Sequence, residues 1–419
     1  MSRYLAYTSP SRGHLYPLTP VLDELKSRGH TVAVRTLPSE VEMLRERGLD
    51  ARGIDPWLAS SELGDYRAKT PIGAERSSVR AFADRAAHEV PDLRRAIGEE
   101  RPDALLIDIN TWGASALAEA EGLPWAHFCP YPLPLPSRDV PPFGLGLPPA
   151  KGRAGRLRDA IARRAIFEPL TRLAKPRLNA IRAELGLRPL TRAIDAFVRA
   201  PLLVYFTAEP FEYPRSDWPD SVLQVGPSAW EPPAEPPDWL TDLPSPLVLV
   251  TMSTEYQGDE KLVETALAAL GDTAVSVVVT TGAGDHSRFN VPPNARVAAF
   301  LPHGPIIERA SCVVCHGGMG ITQKAIAAGV PVCAVPFGRD QLEVARRVEL
   351  SGAGTQVSAM RLKPDRLRGA VFRALECKPG AERVGRGFAK AGGAARAADS
   401  LESLVGESLS LAAAVESPT

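Results

Sequence analysis

No run of about 18 consecutive apolar residues occurs in the 419-residue chain, so no segment reads as a membrane-spanning helix. Net charge is also missing: 49 basic side chains balance 49 acidic ones, which argues against a global electrostatic grip on nucleic acid or on an anionic membrane. Cysteine is sparse and scattered, five in all, which disfavours a disulfide framework and fits a reducing cytoplasm. Cys312 and Cys315 do form a CxxC, but they sit in an apolar strand pattern and no second CxxC completes four ligands, so no metal site is expected there. The opening MSRYLAYTSP reads as a buried strand ending in a turn rather than as a signal peptide.

What is present is length and alternation. A chain of this size exceeds what one core accommodates, so two domains are expected. Strand patterns at residues 4–8, 31–36, 104–108 and 125–129 alternate with helical ones, the signature of a parallel sheet wrapped by helices. The first helix carries Leu15, Leu18, Val21, Leu22 and Leu25 at helical spacing and stops at Gly29, with Pro17 and Pro20 expected in its first turns. A loop at 131–149 (YPLPLPSRDVPPFGLGLPP) is too long for an ordinary connection and is expected to be functional. Residues 151–192 carry twelve basic side chains against three acidic ones, read on two helices as a solvated face or as a membrane-surface contact.

The proline-rich segment 218–246 reads as a linker between a first unit, 1–217, and a second, 247–385. In the second unit strands are expected at 247–252, 275–280 and 297–300, with a helix at 261–270. A helix at 386–405, expected to pack back on the first unit, and a frayed tail, 406–419, follow.

Its most informative stretch is CHGGMGITQKAIAAGVPVCAVPFGRDQ, residues 315–341. A strand closing at Val314 gives way to His316-Gly317-Gly318-Met319-Gly320, a turn without Cβ atoms at three positions, and then to a helix at 321–328. Backbone N–H groups at such a helix start form an anion site. A following strand at 332–335 leads to Arg339-Asp340-Gln341 at its carboxyl end, where ligands sit in open α/β sheets.

Three smaller constellations accompany it. Ser9-Pro10-Ser11-Arg12-Gly13-His14 follows the first strand, and Asp108 ends the strand ALLID. Separately, His14 reads as a cap or surface residue and Asp108 as a helix cap; together they form a pair in which a carboxylate fixes an imidazole's tautomer, the arrangement of a general base. Thr251-Met252-Ser253-Thr254-Glu255 offers hydroxyls for phosphate contact or for a plain N-cap. The stretch 280–284, TTGAG, lacks the third glycine and the helix of a dinucleotide fingerprint.

These motifs, in order over nearly the whole chain, resemble a family 1 glycosyltransferase of the two-Rossmann-domain type, and in particular the actinobacterial natural-product enzymes. The residues that carry the resemblance are SRGHLYP with His14, PDALLIDINTWGASALAEAEGLPWA with Asp108, VGPSAWEPP, STE, FLPH, HGGMGITQKAIAAGVP and PFGRDQ. It implies an α/β chain of two Rossmann-like domains facing across a cleft, the GT-B fold. It also implies transfer of a sugar from a nucleotide diphosphate donor on the C-terminal half to an acceptor on the N-terminal half. His14 would take the acceptor proton while Asp108 orients it. His316 and the amides of Gly318, Met319 and Gly320 would hold the diphosphate, with Ser253, Thr254 and Thr322 assisting. Phe300, Leu301, Pro302 and His303 would face the nucleobase, and Asp340 with Gln341 would bond the sugar hydroxyls.

Displacement at the anomeric carbon needs a base on one face and leaving-group stabilisation on the other, from which inversion is expected. A helix N-terminus and an imidazolium can meet the leaving diphosphate's charge, so no metal and no cofactor beyond the nucleotide sugar are expected. Trp112, Phe143 and Phe167 are candidates for a hydrophobic small-molecule acceptor. No nucleic-acid partner and no stable membrane insertion are expected, and a homodimer is left open. The rival readings are a lipid acceptor, with Arg156, Arg158, Arg163 and Arg164 meeting headgroups, and a non-catalytic nucleotide-sugar-binding auxiliary. Met319 and Ile321 depart from the polar residues common in relatives. Lys324 stands where relatives often carry a ribose-binding glutamate, which favours a thymidine donor over a uridine one.

Overall fold

The computed structural model describes residues 1–68, 70–253, 258–282 and 289–415. Two all-parallel sheets organise them. The first holds strands β1 (Arg3–Tyr7), β2 (Thr31–Thr36), β3 (Asp50–Gly53), β4 (Ala104–Asp108), β5 (Trp125–Cys129), β6 (Leu202–Tyr205) and β7 (Val222–Gln224) in the order β3-β2-β1-β4-β5-β6-β7. The second holds β8 (Leu247–Thr251), β9 (Ser276–Thr280), β10 (Ala295–Ala298), β11 (Ala310–Cys315), β12 (Val332–Ala334) and β13 (Gly354–Gln356) in the order β10-β9-β8-β11-β12-β13.

Central strands β1, β4, β5, β8 and β9 are nearly continuous apolar runs because helices cover both faces of each sheet. Around the first sheet, one core gathers Leu15, Leu18, Val21 and Leu22 of the Arg12–Ser27 helix on Val32 and Val34, while Leu5, Ile107 and Leu117 pack on the opposite face. Each fully buried side chain of this kind is worth about 1.5–3 kcal/mol.

In both sheets the strand order reverses at the centre, between β1 and β4 and between β8 and β11. Tyr7 pairs with Ile107 and Thr251 with Cys315, so the loops leaving these strands diverge over a crevice at each switch point. This topology brings Ser9 and His14 beside Asp108, and sets the segments after β8 and β11, which hold Ser253 and His316, at the same rim of the second sheet.

Several expectations are corrected. The segment read as a linker contributes β7 to the first sheet, parallel to β6, so the crossing begins only after Gln224. Pro17 and Pro20 lie in the second and third turns of their helix, and the 30-residue helix Pro71–Glu100, which holds Pro91 inside it, carried no clear signal. The helical stretch read at 386–405 is two helices, Lys378–Lys390 and Gly393–Val415, and the second extends through much of the segment expected to fray. Its Ala397, Ala398, Leu401 and Val405 join the core of the first sheet, and Glu402 pairs with Arg28 and His30.

Candidate active site

On the first sheet's rim, Asp108 is fully buried; Ser9 N at 2.9 Å, Ser9 Oγ at 2.7 Å and Asn110 N at 2.9 Å donate to its carboxylate, and Thr111 donates to its carbonyl from Oγ1 at 2.7 Å and from N at 3.0 Å. His14 Nδ1 lies 2.9 Å and 3.0 Å from the two carboxylate oxygens. Burial by itself would raise the Asp108 pKa, but the His14 charge and these hydrogen bonds outweigh it and hold the group below the usual carboxylate range. An ionised Asp108 fixes the proton on Nδ1 and leaves Nε2 as the basic atom. Asn110 Nδ2 sits 3.4 Å from that Nε2, and Tyr131 Oη donates to Asn110 Oδ1 at 2.7 Å with its ring 5.7 Å from the imidazole. Sequence reading missed Asn110 and Tyr131 as members of this network; the tyrosine opens the proline-rich loop, which was the available signal.

On the second sheet's rim, β11 ends in the His316-Gly317-Gly318 turn, with Gly317 at φ +84° against the Gln341 carbonyl. A Cβ at Gly318 would stand 2.3 Å from His316 Nε2, so the imidazole lies directly over the glycine backbone and requires its bareness. Gly318 is the N-cap of the Met319–Ala327 helix, whose first N–H groups open on this turn. Burial and the Arg339 charge push the His316 pKa down to about 4, so the imidazolium expected here is a neutral imidazole at neutral pH in the free chain. Its Nδ1 is buried and has no hydrogen-bond partner among the described residues, a donor or acceptor held ready for a ligand.

One further expectation fails here. Thr322 is fully buried with its Oγ1 3.5 Å from Cys315 Sγ, so its hydroxyl faces the strand and not an anion. By contrast, the Met319 side chain packs into the core with Ile306 and Val313, which leaves its backbone, the part expected to act, at the turn.

Ser253 is buried and its N–H donates to Asp259 at 2.8 Å, a carboxylate that sequence reading did not single out; Thr254 lies outside the described residues. Phe300 is 65% exposed at the rim, Leu301 is partly buried, and Pro302 caps the His303–Arg309 helix. His303 Nε2 lies 2.9 Å from Thr280 Oγ1, and burial pushes its pKa down to about 4.

Asp340 starts the Gln341–Leu350 helix without using its side chain as a cap, and burial raises its pKa. Gln341, expected to bond sugar hydroxyls, has its Oε1 held by the loop, accepting from Phe337 N at 2.7 Å and Gly338 N at 3.1 Å. Arg339, at φ +52°, makes a two-pronged bond to Asp65 of the first half, 2.6 Å and 3.0 Å. This ion pair joins the two halves next to Asp340 and marks the cleft between them.

The Pro/Gly-rich loop crosses that cleft. Gly144 N and Gly146 N donate to Glu343 Oε1 at 3.0 Å and 2.8 Å, and Arg346 Nε donates to Gly146 O at 2.8 Å. Below it, Arg347 bridges Glu212 at 2.8 Å and Glu343 at 3.2 Å in a buried triad. Trp112 packs with Phe82 and Phe197 at 5.4 Å and 6.5 Å, its indole nitrogen buried and unpartnered among the described residues. Phe143 lies partly buried in the loop, and the Phe167 side chain lies outside the described residues.

The comparisons with known proteins agree with this architecture. The C-terminal domain family of erythromycin biosynthesis protein CIII-like proteins matches residues 264–387. The chain is 33% identical over 388 residues to 4'-demethylrebeccamycin synthase of Lentzea aerocolonigenes, covering 90% of this chain and 92% of that one. It is 30% identical over 309 residues to a PGL/p-HBAD biosynthesis glycosyltransferase of Mycobacterium tuberculosis, covering 70% and 69%. Among solved structures, the calicheamicin glycosyltransferase CalG4 superposes with a TM-score of 0.73 at 20% identity over 97% of this chain and 98% of that one. The glycosyltransferase VinC in complex with DTDP gives 0.70 at 23% identity over 97% and 100%.

Proposed function

Because the chain belongs to the natural-product glycosyltransferases, with the two-domain GT-B fold, we propose that it is an inverting, metal-independent enzyme. It moves a sugar from a dTDP- or UDP-linked donor to a hydroxyl of a hydrophobic small-molecule acceptor, a secondary-metabolite aglycone. The observation that carries this reading is the His14–Asp108 pair at the strand ends of the first sheet together with the bare turn under His316 at those of the second. A relative whose name denotes a natural product, and a related structure holding DTDP, support it.

In the proposed reaction His14 Nε2 takes the acceptor's hydroxyl proton, and Asp108 stabilises the imidazolium that forms. The acceptor oxygen forms a bond to the anomeric carbon from the side opposite the diphosphate. The bond from that carbon to the phosphate oxygen breaks, and its electron pair leaves on the diphosphate. The amides at Gly318 to Gly320 and the His316 imidazole, whose Nδ1 has no partner among the described residues, meet that charge with groups already positioned to hydrogen-bond it. Asp340 accepts from the transferred sugar's hydroxyls.

The test is His14→Ala assayed beside donor binding: turnover is expected to fall by about a hundredfold or more while TDP or UDP affinity is kept. Unchanged turnover with a genuine acceptor would remove the base assignment, and activity that a chelator abolishes and magnesium restores would remove the metal-free one. A nucleotide-sugar-binding auxiliary would bind donor and never turn over.

A second reading of the acceptor has its own observation. Leu157 and Ile161, 62% and 61% exposed, stand one turn apart on the arginine-rich Gly152–Ala162 helix, the arrangement that lays a helix on an anionic membrane to meet a lipid-borne acceptor. Arg158 and Arg163 are instead tied to the Pro148 and Ser137 carbonyls, which leaves Arg156 and Arg164 for headgroups. Sedimentation with anionic vesicles that Leu157→Ser abolishes would favour this acceptor class.

A further inference from the structure

Glu231 departs from the crossing segment and inserts its carboxylate into the rim of the second sheet. Its Oε1 accepts from Gly304 N at 2.6 Å; its Oε2 accepts from His303 N at 3.2 Å and from Lys324 Nζ at 2.8 Å. The side chains are 23% exposed for Glu231 and 12% for Lys324, so the pair is half sunk in protein and still reachable. It bridges two elements of the donor side: the helix that starts directly after Phe300, Leu301 and Pro302, and the helix that starts on the glycine turn. Lys324 lies one turn beyond Gly320, about 6 Å along the axis.

An ionised carboxylate offers about four lone-pair directions, and these three donors fill three of them. One remains. In a nucleoside diphosphate the phosphates repel a carboxylate, so the groups it can accept from are a ribose hydroxyl or a base N–H. One helical turn from the diphosphate cradle is the place of the ribose, which is joined directly to the phosphates, and the base extends further, toward exposed Phe300. We propose that Glu231 accepts a hydrogen bond from the ribose of the donor nucleotide, and that Lys324 is its positioning residue. The inference rests on reading the turn at Gly318–Gly320 as the diphosphate cradle. It also revises the reading of Lys324 as a lost ribose contact: the lysine brings a carboxylate from another element, so its presence does not select a donor lacking the 2'-hydroxyl.

The test uses the full-length chain and calorimetric binding of TDP, whose one ribose hydroxyl is the 3', and of its 3'-deoxy analogue. In the wild type, removing the hydroxyl is expected to weaken binding about tenfold, as for a hydrogen bond to a charged group. In Glu231→Ala the two ligands are expected to bind equally, and in Lys324→Met the difference is expected to shrink. Thermal unfolding checks that the variants fold, with Glu231→Gln as the substitute should the alanine variant lose its helix cap; there too the tenfold difference is expected to diminish. A hydroxyl effect of equal size in wild type and Glu231 variants would overturn the proposal. So would a Glu231-dependent loss on methylating the base N3 in place of removing the hydroxyl. Gly318→Ala separates this inference from the reading it rests on: TDP binding that survives that substitution sinks the cradle, whereas binding lost there with no hydroxyl effect at Glu231 sinks only the ribose contact.

Discussion

His14 has its chemistry assigned by its neighbours. A histidine near a helix start is ordinary; one whose Nδ1 meets both oxygens of a buried, ionised aspartate has a single basic nitrogen left to offer. Asp108→Asn keeps the shape and loses the charge that stabilises the imidazolium, so the rate is expected to fall by two or more orders of magnitude with TDP affinity unchanged; a tenfold effect or less in single-turnover kinetics would rule it out. Glu89 is a separate case. It is fully buried, accepts from Gly113 N at 2.7 Å, and burial raises its pKa from 4.5 to about 8 against the lowering effect of that amide. Between those two values the folded chain holds a proton that the unfolded chain has released, so stability falls as pH rises through this window. Glu89→Gln is expected to flatten that fall. Urea midpoints measured from pH 5 to pH 8 check it, and parallel curves for wild type and variant would refute it.

At the scale of elements, the cleft is closed by short backbone segments that cross it. Gly146 sits at φ +56° with the place of its missing Cβ only 2.6 Å from the Leu342 carbonyl. An alanine there meets both a disfavoured backbone region and a neighbouring carbonyl, so Gly146→Ala should lift the loop off the Gln341–Leu350 helix. The expected result is a raised KM for acceptor with little change in TDP binding, together with faster amide exchange at residues 144–146; an unaltered acceptor KM would count against the loop as an acceptor-side element. The Asp65–Arg339 bridge works beside it. Arg339 holds a left-handed backbone conformation that costs a non-glycine residue on the order of 1–3 kcal/mol, and the bidentate bond across the cleft offsets part of that.

At the scale of the molecule, the chain crosses between the sheets twice. It passes from the first to the second after β7 and returns through the Gly393–Val415 helix, which completes the first sheet's core with Ala397, Ala398, Leu401 and Val405. Leu401→Ala is therefore expected to destabilise the unit built on residues far earlier in the sequence, by about 2–5 kcal/mol. Differential scanning calorimetry with and without TDP tells which transition moves: TDP is to raise the second-sheet transition, and the substitution is to lower the first.

The sequence by itself determined the parallel α/β class, the two-unit organisation and the motifs at the strand ends. These are local or periodic properties: a buried parallel strand must be an apolar run, and a chain that approaches an anion through its backbone needs glycine. His14, Asp108, His316 and Gly318 were legible because each stands within a few residues of such a strand end. Only tertiary structure decided protonation and commitment. Whether His316 is charged depends on how deeply it is buried and on Arg339, 23 positions away; whether Thr322 and Gln341 are available depends on which neighbours already hold them. The pairing of Lys324 with Glu231, 93 residues apart, and of Arg339 with Asp65, 274 apart, leaves no periodicity to read, because contact between distant residues is set by how the two sheets dock and not by the spacing along the chain.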